Sequence, residues 1–240
     1  MLLASIGLSW VAVKMEQARK EREAVEAIRK TGGSVGYDYE FSPSGNRVVN
    51  GKPRTPAWLR RVLGEDFFDS VVAATVNNDA ALEHLKRFKQ LRDVNLYGHQ
   101  ITDSGIEHLE ALTQLRNVYL YEIAITDAGL EHLKGLTQLE ELYLNGTRIT
   151  DGGLEHLDGM RQLQTLVLDD TQVTDAGLEH IHGLTRLERL FLVGTKVTDA
   201  GLRHLQGLHQ LRELWVGQTQ VTDEGIKKLQ QALPNCKIAR

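Results

Sequence analysis

The chain has 240 residues, 41% of them hydrophobic, with 28 Lys and Arg against 32 Asp and Glu and a formal net charge of −4. So mild an acidic balance argues against a nucleic-acid-binding protein, which needs a basic surface to meet phosphate. Cys236 is the lone cysteine, so no intrachain disulfide forms, and its thiol is expected to be packed rather than reactive.

Met1–Val13 (MLLASIGLSWVAV) carries no charged side chain before Lys14. Thirteen helical residues cover about 20 Å, short of the roughly 30 Å hydrocarbon core of a bilayer. Neither a basic leader nor a small-residue cleavage site marks a signal peptide. Three readings stand open: a membrane anchor whose start precedes Met1, an atypical signal peptide, and a buried amphipathic cap. Trp10 followed by Lys14, Arg19 and Lys20 looks like an interfacial boundary, so membrane association through residues 1–13 is the expectation, with a soluble or secreted protein as the alternative. Residues 14–30 hold six Lys and Arg against four Glu and predict a charged helix stopped by Gly32-Gly33.

Ser34–Phe41 alternates in polarity, and Ser42–Asn46 is a turn signal before Arg47-Val48-Val49, which predicts a hairpin. Thr55-Pro56 followed by AWLRRVLG supplies an N-cap, a proline in the first helical position and a glycine stop. With an apolar segment and charged helix over 1–30, residues 31–76 are thus expected to form a cap for the chain from residue 77 onward.

From residue 77 a block of 24 residues is written six times, at 77–100, 101–124, 125–148, 149–172, 173–196 and 197–220, with a partial seventh from Val221. A fixed period of this size is the mark of a solenoid. In ITDAGLEHLKGLTQLEELYLNGTR (125–148), Leu139, Leu142 and Leu144 have the spacing of a short strand, whereas Leu130, Leu133 and Leu136 have that of a helix. Neither element can bury its apolar side alone. Stacking the copies aligns the strands at about 4.8 Å per step. The predicted fold is a right-handed α/β solenoid over 77–240, with a concave parallel sheet and short helices on the convex side.

Three columns recur with the period. Asp79, Asp103, Asp127, Asp151, Asp175, Asp199 and Asp223 are expected to accept backbone N–H bonds where each helix begins. Gly105 and its equivalents through Gly225 allow close approach between neighbouring copies. Thr75, Thr147, Thr171, Thr195 and Thr219 place a hydroxyl where it can bond the turn backbone.

The pattern Leu-x-x-Leu-x-Leu-x-x-Thr-x-[Ile/Val]-Thr-Asp-x-Gly-Leu resembles the leucine-rich repeat family, with Thr where Asn or Cys is usual. The Thr-Asp-Ala-Gly-Leu-Glu-His-Leu phrase and the Leu233–Ile238 ending are similar to a short bacterial subgroup abundant in planctomycetes. That resemblance covers residues ~67–240. It implies the solenoid fold, and members of the subgroup often begin with a single membrane segment, but it leaves the partner open.

Chemistry finds little support. His84, His108, His132, His156, His180 and His204 form a straight ladder, whereas a zinc site needs converging ligands. Identical pairs repeated along a surface are also the opposite of an active site, where unlike groups meet in a pocket. No enzyme, metal or cofactor is expected. What differs between copies is more informative. Strand residues flanking the core leucines should face outward on the concave side: Asp93, Asn117, Glu141, Arg189 and Glu213 in one column, Asn95, Tyr119, Tyr143, Phe191 and Trp215 in the next, and Tyr97 and Tyr121 beside them. Val71 and Asp69 are the first-copy members expected for the second and first columns. Aromatic anchors with a polar rim suit a partner-binding patch, and these twelve residues are the candidate site. A protein partner is expected; a glycan or cell-envelope polymer is the alternative, since exposed aromatic rings stack on sugars.

Overall fold

A computed structural model describes residues 2–42, 48, 51–53, 55–63 and 67–240, with side chains from residue 9 onward except that of Leu63. The chain opens with α1 (Leu2–Lys30), β1 (Ser34–Tyr37), a 3-10 turn at Asp38–Glu40 and α2 (Ala57–Leu63). The described strands form one nine-stranded sheet in chain order. It continues through β2 (Val71–Asn78), β3 (Asp93–Gln100), β4 (Asn117–Tyr121), β5 (Glu141–Tyr143), β6 (Thr165–Val167), β7 (Arg189–Phe191), β8 (Glu213–Trp215) and β9 (Lys237–Ala239). Only the β1–β2 pairing is antiparallel. The alternating strand leucines point to the other side, where they meet the helix leucines: Leu130, Leu133, Leu136, Leu139, Leu142 and Leu144 are all fully buried. Helical segments there are short: α3 (Asp79–Leu85), α4 (Asp103–Ile106), α5 (Asp127–Glu131), α6 (Asp151–Leu154), 3-10 turns at Gly177–Ile181 and Gly201–Leu205, and a longer α7 (Asp223–Ala232).

From β3 onward the register steps by 24 residues: Asp93 pairs with Asn117, then Glu141, Thr165, Arg189, Glu213 and Lys237. The first step differs. Ala73 pairs with Asp93 and Thr75 with Asn95, an offset of 20. The cause is local: β2 runs directly into α3 without the connecting loop of later copies. Ala73 and Thr75 therefore occupy the column places expected for Asp69 and Val71. Val71 instead pairs with Tyr37 on β1, and Asp69 is buried against Arg60, 3.3 Å away. Thr75 is a strand residue and does not join the turn threonines.

The three repeated columns have structural partners. In the four later turns a hydroxyl donates to the carbonyl three residues back, Thr147 to Leu144 (2.6 Å), Thr171 to Leu168, Thr195 to Leu192 and Thr219 to Val216, while His99 and Ile123 take the place in two earlier ones. The aspartates behave differently from expectation. Each stands at the start of its helical segment, as the first residue of α3 to α7 or two residues before the 3-10 turns at Gly177 and Gly201, and all but Asp223 reach the next copy rather than their own helix. Asp103 Oδ1 accepts the backbone N–H of Thr126 at 2.8 Å, and Oδ2 accepts the Thr126 hydroxyl at 2.7 Å. The same pair of bonds links Asp79 to Thr102, Asp127 to Thr150, Asp151 to Thr174, Asp175 to Thr198 and Asp199 to Thr222. The glycine column makes room for this clamp: a Cβ on Gly129 or Gly177 would lie 2.5 Å from Oδ1 of Asp103 or Asp151. The ends of the array fit the same logic. The first copy, with no preceding aspartate, has Ala81 in the glycine place. Asp223 of the seventh, partial copy instead pairs with Arg240 at 2.7 Å.

One further column lies at or just after the strand ends. Gly98, Glu122, Gly146, Asp170, Gly194 and Gln218 all have left-handed backbone, with φ between 51° and 94°. Glycine adopts this freely, and other residues pay for it in steric strain. Replacing Gln218 (φ 54°) by Gly is expected to stabilise the protein by about 1 kcal/mol, read as a rise in the urea midpoint.

The N-terminus corrects a sequence expectation. No helix among the described residues is long and apolar enough to cross a membrane. The apolar run is not a separate segment but the first part of α1, whose remainder is heavily charged. Ala18, Glu21, Ala24, Val25 and Ile28 are buried at helical spacing, and α1 packs on α3 and β1 at the start of the solenoid. The anchor, the membrane localisation and the transmembrane reading of residues 1–13 are therefore withdrawn. Trp10 (60% exposed) and Val13 (65%) project beyond the packed part, with the Lys14 ammonium 5.3 Å above the Trp10 ring and 4.9 Å above that of Phe67. The expected hairpin falls partly outside the described residues: 43–47 and 49–50 are not among them, and β1 pairs with β2 instead. The helix expected after Pro56 is α2.

Candidate partner-binding face

All twelve predicted residues lie on the strands, on the sheet face turned away from the helices. Tyr97 (41% exposed) and Trp215 (37%) are the most open of the large apolar groups among them. Arg189 is exposed, and the other nine are half-buried. The parallel register gathers them into two aromatic groups. Tyr119, Tyr121 and Tyr143 form a triangle with ring centroids 4.9, 5.8 and 5.9 Å apart. Phe191 and Trp215 stack nearly parallel, 6.1 Å apart with planes at 9°. Val167 stands between the groups in the same column, because it pairs with Tyr143 on one side and Phe191 on the other.

The polar column is held by its own network. Glu141 accepts the Tyr119 hydroxyl at 3.0 Å and the Arg189 guanidinium at 3.1 Å. Arg189 reaches Glu141 across an intervening strand, and its Nε donates to the Thr165 hydroxyl beneath it at 3.0 Å. Thr165 is thereby fully buried on a face that would otherwise be open. Asn117 donates to Asp93 at 2.6 Å. The Asn95 Oδ1 is buried without a hydrogen-bond partner among the described residues, and the Tyr97 hydroxyl lies 3.5 Å from the Gly32 carbonyl of the cap. Burial raises the pKa of Asp93. It also pushes up the phenols of Tyr119, Tyr121 and Tyr143, helped by the Glu141 charge. The triangle thus stays un-ionised at neutral pH and presents phenol donors beside carboxylate acceptors, which can grip both the apolar body and the polar groups of a ligand.

Three residues of the same exposed strand columns stand outside the twelve predicted ones. Thr165 and Val167 divide the face, a role visible only once Arg189 is seen to fold over its neighbour. Asp169, which accepts the Val193 N–H at 2.7 Å, lines the rim. Elsewhere the repeated histidines sit on the helix side, and two of them meet glutamates of the preceding copy. His132 Nδ1 is 2.6 Å from Glu110, and His180 Nε2 is 3.9 Å from Glu155. No group of three or more His, Cys, Asp or Glu among the described residues converges as a metal ion would require. Cys236 is buried, and burial pushes its thiol up to about 11.

A parallel sheet backed by short helices, repeated every 24 residues with leucines at the junction, defines a leucine-rich repeat solenoid. The family model described as Leucine Rich repeat matches residues 135–157, about the length of one copy. Among solved structures, internalin C2 of Listeria monocytogenes is 20% identical with a TM-score of 0.60, over 90% of this chain and 92% of that one. The internalin InlF of the same organism is 21% identical with a TM-score of 0.51, over 69% of this chain and 52% of its own. A leucine-rich repeat protein of Leptospira interrogans is 21% identical with a TM-score of 0.50, over 65% of this chain and 44% of its own. The chain thus spans about half the length of InlF or of the Leptospira protein. These likenesses show the fold. No curated protein matches the sequence.

Proposed function

We propose that the protein is a non-enzymatic scaffold that binds a protein partner across the concave sheet face, through Asp93, Asn95, Tyr97, Asn117, Tyr119, Tyr121, Glu141, Tyr143, Arg189, Phe191, Glu213 and Trp215. Leucine-rich repeat folds commonly mediate protein–protein interaction and are typically not enzymes. The observation that carries the reading here is the arrangement of rings: a tyrosine triangle and a Phe191–Trp215 stack stand on a face that contains no core. Aromatic anchors of this kind dominate interface energetics, and the carboxylate and guanidinium groups around them form a polar rim. The phrase Thr126–Leu133 and the Leu233–Ile238 ending support the further reading of a short bacterial protein of this type.

The test is a pull-down with the immobilised chain. Substituting Tyr119, Tyr143, Phe191 and Trp215 together by Ala removes anchors worth about 1–2 kcal/mol each, so specific capture is expected to vanish while the far-ultraviolet spectrum is kept. His156→Ala on the opposite side leaves capture intact. Equal capture by the quadruple variant would sink the reading. The flat Phe191–Trp215 stack favours a second reading, a glycan lying on the rings. Its readout is a Trp fluorescence shift on adding cell-envelope glycans that lysate proteins do not produce.

A further inference from the structure

At two turn positions on the helix side the first copy carries a cation where most later copies carry none. Where later copies have Ala111, Gly135, Gly159, Gly183 and Gly207, it has Arg87. Where they have Thr113, Thr137, Arg161, Thr185 and His209, it has Lys89. Packing requires neither, because both side chains are exposed, and neither forms an ion pair with a described residue. Directly opposite stands α1. Between them lies a cleft of about 550 Å³, walled by Ala12, Val13 and Lys20 on α1 and by Lys86, Arg87 and Lys89 on the turn after α3.

The electrostatics of the cleft are unlike those of the chain as a whole, whose net charge is −4. Glu16 and Glu21 also border it, but both are engaged. Glu16 is held by Arg19 at 2.8 Å and Lys20 at 3.3 Å, and Glu21 accepts the Gln17 amide at 2.8 Å. Lys86 pairs with Glu83 at 3.1 Å, outside the cleft lining. Arg87 and Lys89 are left as the cations open to an incoming anion, with Ala12 and Val13 the apolar residues of the α1 side. The cleft volume falls in the range that holds one small molecule. A guanidinium binds carboxylate or phosphate through a two-pronged fork, and lysine stems offer methylene surface to a hydrocarbon.

We propose that this cleft binds a small anionic amphiphile, its carboxylate or phosphate head on Arg87 and Lys89 and its aliphatic tail along Ala12, Val13 and the stems of Lys20 and Lys86. The site is separate from the concave face and does not depend on it. A cationic head would be repelled, and an acid without a tail would lose the contact with Ala12 and Val13.

The experiment is isothermal titration of the full chain with decanoate and decyl phosphate below their micellar concentrations. Saturable binding of one molecule per chain is expected. The double variant R87E/K89E, with both changes at exposed positions, should weaken it by about tenfold or more, because attraction becomes repulsion. Val13→Asp should weaken it as well. The quadruple alanine variant of the concave face should bind the amphiphile as the unmodified chain does. Three results would overturn the proposal: unchanged affinity in R87E/K89E, equal binding of decyltrimethylammonium, or no saturable binding of either acid. Binding of an octaglutamate peptide without binding of decanoate would likewise overturn it and assign the cleft to an acidic protein segment.

Discussion

Gly129→Ala is expected to destabilise the protein by about 2–3 kcal/mol, although alanine is the better helix former by about 1 kcal/mol and Gly129 lies inside α5. The new methyl group would sit 2.5 Å from Asp103 Oδ1. That carboxylate cannot swing aside without losing both its bonds to Thr126, at 2.8 and 2.7 Å. The expected loss is therefore that of two hydrogen bonds to a charged acceptor. The same reasoning fixes a sign reversal. In an Asp103→Ala background the clamp is already gone, and Gly129→Ala should then stabilise by up to about 1 kcal/mol. Urea denaturation of both singles and the double gives the coupling directly. Additive effects would refute the clamp as the reason for the glycine column.

Ile28→Asp should be more damaging still. Ile28 is fully buried where α1 closes the end of the solenoid, and an unpaired carboxylate there leaves water with no compensating partner, at a cost of several kcal/mol. The expected outcome is loss of α1 packing, exposure of the first copy and a fall in thermal midpoint of about 10 °C or more, roughly 4 kcal/mol at about 2–4 °C per kcal/mol. Val13→Asp, on the projecting half of the same helix at 65% exposure, should change stability by no more than about 0.5 kcal/mol. Similar effects at the two positions would contradict the division of α1 into a packed half and a free half.

Much of this architecture was legible in the residues, because a repeat makes its own alignment. The leucine spacing in 125–148 is enough to separate strand from helix, and a period of 24 residues is enough to stack them. The same periodicity misled in two places. Extending it back past residue 77 put Val71 and Asp69 into columns that Thr75 and Ala73 occupy, since β2 meets α3 without the usual loop. Reading the aspartates as caps of their own helices missed that the residue before each takes that place, as Thr126, Thr150 and Thr222 do, while the aspartates turn to another partner. Their donors lie 23 residues on, in the neighbouring copy. The N-terminal apolar run failed for another reason. Composition over thirteen residues says nothing of the helix they continue into, and the burial of Ala24, Val25 and Ile28 against the first copy belongs to the packing of α1 as a whole.

By itself the sequence determined the period, the two elements in each copy, and which side chains are repeated and which vary. Those properties are local, because strand and helix spacing, turn chemistry and duplication are all written within one 24-residue block. Only the tertiary structure decided how the varying residues combine. It drew three tyrosines into one triangle, laid Arg189 across Thr165 to Glu141, and set α1 opposite Arg87 and Lys89. All but the Tyr119–Tyr121 pair, which shares β4, join side chains from different copies, or from the cap and a copy. Their energies depend on stacking distance and on side-chain reach, quantities that exist only after the copies have packed.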